Sequence, residues 1–96
     1  MRNMYMVCYD ICDDKRLRRT YRAMRGFGDP IQLSVFRCVL SPRLRAKMIA
    51  VLTELIAHDV DQVLIVDLGP ADGRANTAFE ALGRSYRPPQ RRATIV

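Results

Sequence analysis

Asp10 is the residue on which chemistry is most readily built. It closes a run of six apolar or aromatic residues, Met4 to Tyr9. A carboxylate where a strand hands over to a loop is rigidly held and open to solvent, which suits a divalent ion. One Asp is a thin site for Mg2+, because that ion takes carboxylates together with water and phosphate oxygens. A twofold dimer would bring two copies together, and the ion could then polarise a phosphodiester or activate water. The competing reading is that Asp10 caps the turn that follows. Asp13 and Asp14 read as helix-start residues, since a carboxylate accepts from free backbone N–H groups and favours the positive end of a helix.

A basic stripe comes next. Lys15, Arg18, Arg22 and Arg25 stand at i, i+3, i+7 and i+10 on one flank of a helical segment, with Arg16 and Arg19 on the other. Such a stripe can track a phosphate backbone. A merely solvated helix face usually carries acidic residues for i, i+4 pairing, and none lies between Lys15 and Arg25. The whole chain has the same bias. It carries 16 Lys and Arg against 10 Asp and Glu, a net charge of +6, and all but Lys15 and Lys47 of the basic residues are Arg. The planar guanidinium fork matches phosphate oxygens, so the excess favours a polyanionic partner, RNA or double-stranded DNA. Arg84, Arg87, Arg91 and Arg92 form a second basic patch.

Other chemistries find little support. His58 is the only histidine, so a Ser-His or Cys-His pair would depend on it alone. It falls late on the second helix, where a surface role is expected. No Gly-rich phosphate loop or clustered His/Cys metal motif is present. Cys8, Cys12 and Cys38 are odd in number and lack zinc-knuckle spacing, which suggests reduced, buried thiols, with Cys8 and Cys38 inside apolar runs. Ser34 and Phe36, near the middle of a strand, either contact a substrate or pack.

The elements that must position these residues follow from periodicity. Met4–Tyr9 reads as a strand. From about Asp14 to Arg25 the period is helical, with Leu17, Tyr21 and Met24 as its apolar stripe, ended by Gly26 and Gly28. Ile31–Leu40 reads as extended, two strands or one bent one. Ser41 and Pro42 open a second helix to about His58, burying Leu44, Met48, Val51, Leu52, Leu55 and Ile56. Gln62–Leu68 is another strand, reached by the short connection Val60-Asp61. Ala71–Leu82 has the spacing of a short helix, 84–92 is a polar connector, and Ala93–Val96 suits a last strand.

This order predicts one α+β domain over residues 1–96, a ferredoxin-like βαββαβ sandwich with a C-terminal extension strand. Such a sheet has one face free of helices, and its strands should alternate apolar and polar. The first and fourth do not: Met4–Tyr9 and Val63–Val66 are apolar on both sides. A second copy, packed sheet against sheet about a twofold axis, is the economical cover. No run of about 18 apolar residues suggests a membrane span. The N-terminus has no pattern of a secretory signal, so a cytoplasmic protein with no membrane association is expected.

Tyr9-Asp10-Ile11, then Asp13-Asp14-Lys15-Arg16, Gly28 and Gln32-Leu33-Ser34-Val35-Phe36, together resemble the pattern of the CRISPR-associated Cas2 family. The resemblance runs from the first strand to about Leu68 and continues more loosely to Thr94-Ile95-Val96. It implies a ferredoxin-like fold dimerised through its sheets, with the C-terminal segment 83–96 crossing to the partner protomer. It makes Asp10 the catalytic, metal-linked acid, two copies facing across the twofold axis, with Mg2+ or Mn2+ as cofactor. Tyr9, Ser34, Phe36 and an Arg of the first helix fall at or near supporting positions, and Arg16, Arg18 and Arg19 all remain open for the last. It further implies an endonuclease acting on RNA or double-stranded DNA, and a DNA-binding component of the spacer-acquisition complex beside the Cas1 integrase. Two alternatives stand beside this: a non-catalytic duplex-binding scaffold for the integrase, or a small RNA-binding regulator or toxin on the same fold.

Overall fold

The structure, a computed structural model, describes residues 1–86. Its elements are β1 (Asn3–Asp10), α1 (Asp14–Met24), β2 (Asp29–Gln32), β3 (Val35–Leu40), α2 (Pro42–Leu55) and β4 (Gln62–Pro70). The strands form one antiparallel sheet in the order β2-β3-β1-β4. This is the ferredoxin-like sandwich, with β1 and β3 central. The Ile31–Leu40 region resolves into the two-strand alternative, turned at Leu33 and Ser34.

Both helices begin where their caps dictate. Asp13 accepts from the Arg16 N–H at 2.9 Å and opens α1. The Ser41 hydroxyl accepts from the Leu44 N–H at 3.2 Å, with Pro42 at the first turn of α2. In each case the side-chain oxygen satisfies a donor that the helix itself cannot. The α1–β2 connection passes tightly over β3. A Cβ at Gly28 would collide with the Arg37 carbonyl and the Cys38 sulfur, so only glycine lets the two backbones approach so closely.

One face of the sheet supplies the core. Tyr5, Val7 and Tyr9 of β1 and Phe36, Cys38 and Leu40 of β3 pack against Met24 of α1 and Met48 and Leu52 of α2. Leu17 and Tyr21 of α1 and Val63 and Ile65 of β4 border this cluster. Burying these side chains against one another is the main driving force for the fold.

The opposite face lacks helices. By strand alternation it carries Met6, Cys8 and Asp10 from β1, Val35, Arg37 and Val39 from β3, and Leu64 and Val66 from β4. Met6, Cys8, Val35 and Val39 are half-buried, while Leu64 is 53% and Val66 39% exposed. At its far end Met4 and Ala75 are buried outside the main core cluster.

Three expectations are corrected. Ala71–Leu82 is not a helix; a single 3-10 turn, Arg74–Thr77, forms instead. Gly73, Asn76 and Thr77 are poor helix formers, and Leu82, at the end of the expected apolar stripe, is fully exposed. The second helix stops at Leu55 rather than His58. The Ala57 N–H, which would continue it by bonding to Thr53, is taken by the Asp61 carboxylate at 2.8 Å. The freed Thr53 carbonyl accepts from His58 Nε2 at 2.8 Å instead. Cys12 is exposed; Cys38 is buried and Cys8 half-buried, and all three are free thiols. The expected crossing strand Ala93–Val96 lies outside the described residues.

Candidate active site

Asp10 ends β1 opposite Gln62 of β4 and is exposed. It follows Met6 and Cys8 onto the open, apolar face. The β2–β3 turn is fastened beside it: the Ser34 carbonyl accepts from the Tyr9 N–H at 3.1 Å, and the Leu33 carbonyl from the Tyr9 hydroxyl at 3.3 Å. Ser34 therefore lies at the Asp10 end of the sheet.

Tyr9 and Phe36 point the other way. Phe36 is wholly buried, its ring stacked 6.1 Å from Tyr9 and edge-on to Tyr21 at 5.4 Å. Burial, with a smaller effect from the neighbouring Tyr21, pushes the Tyr9 phenol up to about 12. A buried phenol of this kind stays protonated at neutral pH and keeps its hydrogen bond to the turn. Both rings lie on the helix side of the sheet, so they bear on the Asp10 end through packing.

Five members of the basic stripe, Lys15, Arg18, Arg19, Arg22 and Arg25, are exposed. Arg18, Arg22 and Arg25 edge a groove of about 490 Å³ whose apolar lining comes from Leu17, Tyr21 and Leu33. Arg16 differs. Its guanidinium is committed to Asp61, Nε to Oδ2 at 2.8 Å and Nη2 to Oδ1 at 3.3 Å. Of the three arginines the sequence leaves open, Arg16 is thus drawn inward, and Arg18 and Arg19 face solvent.

Asp61 is the residue that sequence reasoning missed. Its side chain is fully buried and also accepts from the Cys12 and Ala57 N–H groups, each at 2.8 Å. The Arg16 hydrogen bond and then the Cys12 N–H hold its carboxyl far below the usual carboxylate range. Asp13 is also lowered, chiefly by the N–H of Arg16 that it caps. Asp61 is not free to ligate an ion without giving up these bonds.

The donor set can therefore be weighed for a metal. Among the described residues no group of three or more His, Cys, Asp or Glu side chains is placed to hold an ion. Asp10 is an exposed carboxylate at this end of the sheet, and Asp13 and Asp14 are exposed just after it. That set fits an ion that draws most ligands from water and phosphate, as Mg2+ does, and not a closed all-protein cage. A second Asp10 across the open face would strengthen the fit.

The family model for CRISPR associated protein Cas2 matches residues 2–74, from β1 through β4. The chain belongs to the Cas2 family. A protein of Geobacter sulfurreducens named CRISPR-associated endoribonuclease Cas2 is 42% identical over 96 residues, covering 100% of both chains. Another of Rhodospirillum rubrum, named CRISPR-associated endoribonuclease Cas2 1, is 42% identical over 92 residues, 96% of this chain and 89% of its own. The crystal structure of Streptococcus pyogenes Cas2 at pH 6.5 superposes with a TM-score of 0.71 at 26% identity, covering 83% of this chain and 99% of that one. Cas2 membership thus rests on nearly the whole of the described fold, including both strands that flank Asp10. Among the described residues no helix is long and apolar enough to cross a membrane.

Proposed function

We propose that this Cas2 family member is a metal-dependent endonuclease that works as a homodimer on RNA or double-stranded DNA. The observation that carries the reading is the placement of Asp10: an exposed carboxylate at the end of a central strand, on an apolar sheet face without helices. Packing two such faces about a twofold axis would bury Leu64 and Val66 and put two Asp10 residues on one dimer. The names of the relatives, both endoribonucleases, support RNA as the substrate.

In this reading the two Asp10 carboxylates hold the ion, Mg2+ or Mn2+. When bound, the ion supplies Lewis-acid polarisation of the phosphodiester and a more acidic water. The protein's own residues do the rest. Lys15, Arg18, Arg19, Arg22 and Arg25 hold the phosphate backbone, without reading base edges. Ser34 sits beside Asp10 and is the polar group there that can reach substrate. Tyr9 and Phe36 keep β1 and the β2–β3 turn in register.

A second reading is favoured by one observation: α1 and its C-cap carry five exposed basic side chains against one exposed carboxylate, Asp14. That balance suits a duplex-binding scaffold in the spacer-acquisition complex, beside the Cas1 integrase in the cytoplasm, where cleavage is dispensable. Asp10→Ala in the full chain separates the two. The endonuclease predicts that Mg2+- or Mn2+-dependent cleavage falls at least about 100-fold while duplex binding at fixed salt persists. Wild type that binds duplex and the integrase but does not cleave supports the scaffold. Cleavage that survives in Asp10→Ala removes Asp10 from the chemistry.

A further inference from the structure

The loop after Asp10 is tied down by a carboxylate 51 positions later in the chain. Both oxygens of Asp61 are fully used. Oδ1 accepts from the Cys12 N–H at 2.8 Å and Arg16 Nη2 at 3.3 Å; Oδ2 accepts from Arg16 Nε and the Ala57 N–H, each at 2.8 Å. The Cys12 thiol adds a contact to the Val60 carbonyl at 3.0 Å. These bonds bracket Asp10 in space. Cys12 lies two residues beyond it, and Asp61 directly precedes Gln62, the β4 residue paired with Asp10.

We propose that Asp61 and Arg16 are positioning residues for Asp10. The pair fixes the turn from β1 into α1, so that the Asp10 carboxylate is presented at the sheet end and the basic stripe of α1 starts at a set distance from it. Arg16 serves this lock and is withdrawn from phosphate. The inference rests on the reading of Asp10 as the metal-binding acid.

The residue types fit the task. Four N–H donors converge on Asp61, and a carboxylate accepts from all of them. An amide would turn its own NH2 toward one pair and leave donors buried without partners. Arg16 presents its Nε and Nη2 in one plane, which a lysine ammonium cannot copy. Partners that orient a metal ligand typically change metal affinity or activity by about 10–100-fold when removed.

The test uses the full chain with Asp61→Asn, Arg16→Gln, the double variant and Arg16→Lys, with Asp10→Ala as reference. Mn2+ affinity is read from free-ion paramagnetic resonance, kcat and KM from Mn2+-dependent cleavage, and duplex affinity across a salt series. The lock predicts that Asp61→Asn and Arg16→Gln each lower Mn2+ affinity and kcat about tenfold. KM for the nucleic acid and the salt slope should stay as in wild type. The double variant should be no worse than the worse single one, because the two residues act as a unit. Arg16→Lys, which keeps a cation and one donor, should fall between and remains informative if Asp61→Asn does not fold.

The opposite pattern overturns the inference. Arg16→Gln would then lower the salt slope by about 0.9, the mark of one lost phosphate contact, while Asp61→Asn left Mn2+ affinity and kcat unchanged. Activity in wild type, its loss in Asp10→Ala and its full retention in Asp61→Asn would sink the lock and spare the proposed function. A wild type that neither binds Mn2+ nor cleaves would overturn the proposed function, and the lock with it.

Discussion

The two faces of the sheet are built from the same strands and nearly the same residue types, yet they end in different states. On the helix side Val7, Phe36 and Cys38 are wholly buried. On the other side their strand neighbours Met6, Cys8, Val35 and Val39 are half-buried, and Leu64 and Val66 are more exposed still. Apolar residues on a bare face cost solubility unless something covers them. Among the described residues, helices cover one face of the sheet, and Asp10 sits on the other.

Substitutions on the two faces should therefore break different things. Phe36→Ala removes the largest fully buried side chain from the helix side. It should cost about 3–5 kcal/mol in urea unfolding, as cavities of that size do. A smaller cost would mean that the core is less tightly filled than it looks. Leu64→Asp on the open side should instead leave the circular dichroism of the fold in place and weaken self-association. Placing like charges across a twofold interface costs several kcal/mol, so a dimer dissociation constant at least about 100-fold higher is expected in sedimentation. An unchanged dimer would show that this face is not the interface.

Tyr9→Phe sharpens the contrast with the smallest change. It deletes the hydroxyl that bonds the Leu33 carbonyl at 3.3 Å and should cost about 0.5–1.5 kcal/mol. It should also alter the alkaline limb of stability. The unfolded phenol ionises near its ordinary value of 10, whereas the buried Tyr9 resists up to about 12. Rising pH in that window therefore favours the unfolded chain, and stability is lost across it. The loss should be shallower in Tyr9→Phe; an identical limb would mean that other groups govern it.

Much of this was legible in the sequence because its signals are local. Asp13 and Ser41 announce their helices within three residues, and the apolar runs of β1 and β4 already show both faces of the sheet as apolar. The position of Asp10 follows from the end of its run. Asp61 was not legible, since its meaning lies in partners 45 and 49 positions away. A carboxylate in a short connection looks like any solvated turn residue. The same holds for the partner of Arg16: helical spacing puts Arg16 on one flank of a basic helix, and only the tertiary contact shows its ion pair with Asp61. The short helix expected at Ala71–Leu82 shows the reverse error. Its apolar spacing suits a helix, but Leu82 is fully exposed and Gly73, Asn76 and Thr77 are poor helix formers.

In the proposed function two Asp10 carboxylates, one from each chain of a sheet-to-sheet dimer, would make one metal site. Titrating Mn2+ into the full chain, with free ion followed by paramagnetic resonance, tests it most directly. A shared site predicts one ion bound per two chains, with that binding lost in Asp10→Ala. Saturation at one ion per chain, or binding that persists in Asp10→Ala, would contradict it.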